Sequence, residues 1–121
     1  MTLVSAMEIL KTEAVVPPRD PGTELTGCFA SDLMSDVLAF ARHRSVLLTG
    51  LASDQTIRTA AVMQLAAVVL VQGKEAGTDM RETAREEGIA LYRTSLSKYE
   101  ACGLLLQAGL RPYRKGVELP A

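Results

Sequence analysis

Between residues 25 and 71 short apolar runs alternate with stretches that repeat at helical spacing, and few folds accept that alternation. Residues 25–30 form the first run, which stops at Ser31-Asp32, a pair whose side chains favour helix starts. Leu33, Val37 and Ala41 then recur at the spacing of one helix face, with Met34 and Leu38 beside them. A second run, 45–49, ends at Gly50, and Ser53-Asp54 opens another amphipathic stretch whose expected buried face is Ile57, Ala60, Ala61 and Leu65. The third run, 67–71, is apolar throughout, as expected for a central strand covered on both faces. Strands alternating with helices predict βαβ units and a mostly parallel, mixed sheet of about four to five strands, hence an α/β fold with three α/β/α layers.

The flanking sequence extends the pattern. A short helix is predicted over 2–12, starting either at Thr2 or at a capping box of Ser5 and Glu8, with a brief strand at 14–16 after it. The segment 17–22, PPRDPG, breaks regular structure. Gly27 inside the first run predicts a bulge or a close backbone approach. Beyond the third run, Thr78 or Asp79 is the expected cap of a charged helix that ends at Gly88, a left-handed C-terminal cap. Residues 89–93 read as a further strand. Ser97 and Glu100 have the spacing of a capping box for a last helix that stops at Gly109. Gly103 within it is expected to permit close packing on the sheet or on another subunit. A single domain over 1–110 and a basic, disordered tail over 111–121, a candidate phosphate or partner contact, complete the organisation.

Several functions are excluded or disfavoured. The net charge is −1 and aromatic residues make up 4% of the chain, so neither a phosphate-neutralising surface nor a base-stacking platform is expected. Cys28 and Cys102 lie far apart in sequence and His43 is the one histidine, which leaves no zinc-type ligand set; the cysteines read as small core residues. Residues 60–71 are too short to span a bilayer and are broken by Gln64, and the N-terminal stretch is interrupted by Glu8, so the expected location is the cytoplasm, with no membrane partner. Gly73-Lys74 follows a strand as a P-loop does, but a P-loop would need glycine at 68 and Ser or Thr at 75, where the chain has Val68 and Glu75. Dinucleotide-binding, nucleophile-elbow and zincin motifs are also absent. No cofactor and no metal are expected.

In open parallel sheets ligands sit beyond the carboxyl ends of the strands. The residues expected there are Ser31, Asp32, Thr49, Asp54, Gly73, Lys74, Thr94 and Ser95, a set of hydroxyls, backbone N–H groups, one lysine and two carboxylates suited to a nucleotide or another small anion. Each is also explicable as a helix cap alone.

The strings TGCFASDLMSDVLAFARHRSVLLTG and AAVVLVQGKEAGTDMRETAREEGIALYRTSLSKYEACGLL resemble a stand-alone DRTGG domain, related to the N-terminal domain of HPr kinase/phosphorylase. The similarity runs over about residues 14–110 and rests on Gly27 with Ser31-Asp32, the Val-Leu-Leu-Thr strand, the apolar strand before Gly73, the EEGI step and Ser95. Many members of that family carry two glycines after the third strand, where this chain has Gln72-Gly73. The resemblance implies an α/β/α sandwich without catalytic residues of its own, of a kind that accompanies phosphotransacetylase, CBS-domain pyrophosphatase and HPr kinase catalytic domains as a regulatory or dimerisation module. The kinase P-loop belongs to a separate domain, so no kinase activity is implied. The expected function is therefore a non-catalytic regulatory or interaction module, a homodimer with a small anionic ligand such as a nucleotide, or a protein, as partner. Gly103, Leu104, Leu105, Leu106 and Leu110 motivate the dimer, because they make the last helix apolar on more than one side. The alternatives are a small enzyme or phosphoacceptor using His43 with Asp32 or Asp36, and a structural subunit of a larger complex.

Overall fold

A computed structural model describes residues 1–111. The expected tail lies outside the described residues from position 112 on. The order of elements is α1 (Leu3–Ile9), β1 (Glu13–Val16), β2 (Cys28–Ala30), α2 (Met34–Phe40), β3 (Val46–Thr49), α3 (Asp54–Val62), β4 (Ala67–Leu70), α4 (Thr78–Glu87), β5 (Ala90–Arg93) and α5 (Lys98–Gln107). The strands form one mixed sheet in the order β1-β5-β4-β3-β2. Strands β2 to β5 are parallel, and β1 pairs antiparallel with β5 through a register shift between Ala14 and Val16.

Each step from β2 to β5 moves one strand in the same direction. Crossovers of a single hand must then put α2, α3 and α4 on the same face. They do: Met34, Val37, Ile57, Ala60, Met80 and Ala84 pack with Leu47, Val68, Leu70 and Leu91 in one apolar cluster. The other face is covered by α1 and α5, where Leu3, Leu10, Ala101 and Leu105 meet Val46, Leu48, Val69 and Tyr92. The side chains of β3, β4 and β5 alternate between the two clusters, and both faces are buried, which is why those runs contain almost no polar residue. This is the expected three-layer α/β/α sandwich.

Several local expectations are corrected. Strand β2 starts at Cys28, not Leu25: the Leu25 N–H donates to the Met1 carbonyl and the Thr26 N–H to that of Arg44, so those residues serve the N-terminal segment and the turn before β3. Gly27 lies just ahead of the strand, and its carbonyl accepts from Val46. In α2, Met34, Val37 and Ala41 face the core while Leu33 and Leu38 are exposed. Neither Ser31 nor Asp32 caps α2; its N-cap is Leu33, without a side-chain bond. Nor does Thr78 or Asp79 cap α4, whose N-cap is Gly77. Thr2, rather than Ser5, caps α1. Thr56 and Thr59 are buried in α3 and Ala61 is only half-buried. Other local expectations hold: Ser53 caps α3, Gly88 takes the left-handed conformation after α4, Ser97 and Glu100 make a reciprocal capping box on α5, and Gly109 takes positive φ just after that helix. A Cβ placed on Gly103 would meet nothing, so that glycine does not serve close packing on the sheet.

Candidate ligand site at the strand ends

The carboxyl ends of β2 to β5 share one rim of the sheet, and the start of antiparallel β1 joins them there. The expected site residues divide into three groups along this rim instead of converging.

At the β2 and β3 ends, Asp32 ties three elements together. Its Oδ1 accepts from the Gly50 N–H at 2.7 Å, from the Thr49 hydroxyl at 3.0 Å, and from the Lys98 ammonium at 2.9 Å. The Gly50 bond, then Lys98 and Thr49, hold its carboxyl below the usual carboxylate range against the opposing effect of burial. Asp32 is thus a structural knot between the β2–α2 turn, the β3–α3 loop and α5. The Ser31 hydroxyl accepts from the Leu33 N–H at 3.0 Å, and buried Thr49 spends its oxygen on Asp32 and the Leu51 N–H. Lys98, which sequence reasoning missed, carries no periodicity signal because its partner lies across the fold.

Asp54 lies apart, in a cleft of about 390 Å³ between the N-termini of α3 and α4. Two helix N-termini would favour an anion. Asp54 and Asp79 already bring carboxylates there, and Asp54 also pairs with Arg58 at 3.1 Å.

Gly73, Thr94 and Ser95 come together at the β4 and β5 ends, with Lys11, Glu13 and Arg93, around a cleft of about 230 Å³. Here the outgoing chains part: β4 leads to α4 on one face and β5 to α5 on the other. Diverging connections open the crevice in which α/β sheets hold ligands. Arg93 dominates it. Its guanidinium pairs with Glu13 at 3.1 Å and Glu75 at 3.0 Å, and donates to the Gly73 carbonyl at 2.9 Å. Ser95 and Lys11 are exposed at the mouth. Thr94 is buried, with its hydroxyl donating to the Leu10 carbonyl at 2.8 Å and accepting from the Leu96 N–H, so it fastens α1 to the rim. Lys74 is exposed, and its carbonyl accepts from Arg93. Arg93 was missed because a basic residue at a strand end reads as ordinary surface; its register opposite Glu13 exists only once β1 turns antiparallel.

His43 lies in the turn after α2, before β3, at the amino-terminal ends of the strands, opposite this rim. Helix α2 separates it from Asp32, and Asp36 is in the first turn of that helix. Among the described residues no group of three or more His, Cys, Asp or Glu is placed to hold a metal ion, and no buried side-chain N or O lacks a partner. Among them too, no helix is long and apolar enough to cross a membrane.

What fold and rim define is an α/β/α sandwich with a small polar crevice. No family model matches the sequence, and no curated protein matches it. Among solved structures, the chain is similar to the CBS and DRTGG domains of the regulatory region of Clostridium perfringens pyrophosphatase, a structure complexed with its activator, diadenosine tetraphosphate. The TM-score is 0.71 at 13% identity over 97% of this chain, which spans 52% of that one. At such identity the likeness is one of fold, and in fold the chain is DRTGG-like, as the sequence resemblance implied.

Proposed function

We propose that residues 1–110 are a non-catalytic regulatory module of the cytoplasm, homodimeric, that senses a small anionic ligand in the crevice between β4 and β5. The observation that carries this reading is Arg93. Its guanidinium stands where the β4 and β5 connections part, and it is held by two exposed carboxylates, Glu13 and Glu75. A phosphate can replace those carboxylates with the same two-pronged geometry, since exposed ion pairs cost little to break. Lys11 and Ser95 add a second cation and a hydroxyl at the mouth. The nucleotide bound by the pyrophosphatase regulatory region makes nucleotides the first compounds to test.

Among the eight expected residues this reading keeps Gly73 and Ser95 as ligand contacts and treats Asp32, Thr49 and Thr94 as structural. The homodimer is supported by α5. Tyr99 is 88% exposed and Leu106 is 58% exposed, and with Gly103 between them they form an apolar stripe at helical spacing. The His43 alternative gains no support from the order of elements, which puts α2 between His43 and Asp32.

The test is a thermal-shift titration with nucleotides, dinucleotides and phosphorylated metabolites. Binding to the folded state raises Tm by mass action. A ligand present at about one hundred times its Kd stabilises by about 2.7 kcal/mol. The expected result is a shift with at least one nucleotide that Lys11→Ala and Arg93→Ala both reduce. A shift that survives both substitutions, or none with any compound, would remove the crevice as a ligand site.

A further inference from the structure

We propose that Cys28 and Cys102 are a redox-active dithiol that closes to an intramolecular disulfide by exchange with small-molecule disulfides. The proposal does not depend on the anion site.

The two cysteines, remote in sequence, are brought together by the packing of α5 on β2. Pairing with β3 sets the alternation of β2, so Cys28 faces the α1/α5 layer while Phe29 faces the other. Cys102 projects from α5 into the same layer. The two cysteines line one cleft, and each is the leading influence on the other's titration. Both are free thiols, half-buried, and both line an apolar cleft of about 320 Å³ bordered by Tyr99 and Leu106. In a single chain this cleft is open beside Tyr99 and Leu106, so a small disulfide can enter where both cysteines line the wall; the α5 contact proposed between copies would cover the same cleft, so the exchange belongs to the dissociated chain.

The environment makes the two sulfurs unequal. The neighbouring Cys28 thiol lowers the Cys102 thiol to about 7 against the opposing effect of burial, and Lys98, one helical turn earlier, assists. Cys28 is pushed up, by the neighbouring Cys102 thiol and by burial. Thiolate is the nucleophile in exchange, so Cys102 attacks first and Cys28 resolves.

The steps balance. The Cys102 thiolate attacks one sulfur of a disulfide R–S–S–R, forming a mixed disulfide and expelling RS⁻. Cys28 then loses its proton and attacks the Cys102 sulfur, forming the internal S–S bond and expelling the second RS⁻. The two protons from the protein thiols end on two molecules of RSH. The protein is oxidised by two electrons and the small disulfide is reduced by two. The product covalently joins the edge strand β2 to α5, the helix whose first turn holds Asp32 through Lys98.

The experiment uses the full chain in buffers of reduced and oxidised glutathione, with acid quench, alkylation and mass spectrometry. The expected product of the native chain has lost two hydrogens, carries no free thiol, and yields a peptide joining Cys28 to Cys102. Its Tm is higher than that of the reduced chain, as for a crosslink that restrains the unfolded state. Cys28→Ser should instead accumulate a glutathione adduct at Cys102, forming about ten times faster than the adduct at Cys28 in Cys102→Ser. Glutathione adducts on both cysteines of the native chain without the internal bond would overturn the proposal. So would an internal bond that forms only in denaturant.

Discussion

Asp32 is one carboxylate with three donors from three parts of the chain, and its energetics follow from that. Its charged form accepts the Gly50 N–H and the Lys98 ammonium, so folding lowers its pKa. The stability this adds is fully present above the ordinary carboxylate range and is lost as the pH falls through the lowered value of the folded state. The side chain is 53% exposed, so solvent screens the ion pair and the N–H bond contributes most. Asp32→Asn should therefore cost about 1 kcal/mol at neutral pH. In urea unfolding, the gap between wild type and variant should narrow once the pH drops into the carboxylate range. A constant gap would show that the charge on Asp32 contributes nothing. The same tie makes Asp32 a poor position for testing ligand binding, because its removal loosens the rim whether or not a ligand is present.

At the scale of the element, the turn leaving β4 holds two successive residues in a conformation that favours glycine. Gln72 and Gly73 both take positive φ, 56° and 65°. This directs the Gln72 N–H to the Leu96 carbonyl at 2.7 Å and the Gly73 N–H to the Thr94 carbonyl at 2.8 Å, which extends the β4–β5 pairing beyond the strands. Two glycines are the natural occupants of two successive left-handed positions, and glutamine holds one of them at a steric cost. Gln72→Gly should stabilise the chain by about 1 kcal/mol, read as a higher urea midpoint at unchanged slope. An unchanged or lower midpoint would mean that the Gln72 side chain makes up for the strain. The turn illustrates a wider point: backbone hydrogen bonds between loops, as much as caps, shape this rim.

For the whole molecule, the unevenness of the surface is the main fact. The α2–α4 face is closed by three helices. The other has only α1 and α5, and α5 leaves Tyr99 and Leu106 outward. On the proposed homodimer, Leu106→Glu should halve the mass seen by light scattering, because a charge buried in an apolar contact is costly. Since Leu106 is already exposed within one chain, the same variant should change Tm only through the lost association. An unchanged mass would move the contact away from α5. The edge strand β2 offers little alternative: it has three residues, and the Cys28 N–H already donates to the Arg111 carbonyl.

The amino-acid sequence by itself determined the class of the fold. Apolar runs at 45–49 and 67–71 and helical repeats between them have one economical solution, a parallel sheet buried on both faces, and local signals such as Gly88 and the Ser97–Glu100 box mark boundaries because they act within a few residues. Only the tertiary structure decided where the expected site residues go. Asp32 reads as a helix cap until Gly50 and Lys98 meet it. Thr94 reads as a ligand hydroxyl until Leu10 claims it. Arg93 reads as surface until β1 brings Glu13 opposite, and Cys28 and Cys102 read as two core residues until α5 lies across β2. Each of those pairings spans many residues, and periodicity and capping rules, which act within a helical turn or a strand pair, carry no information about partners at that range.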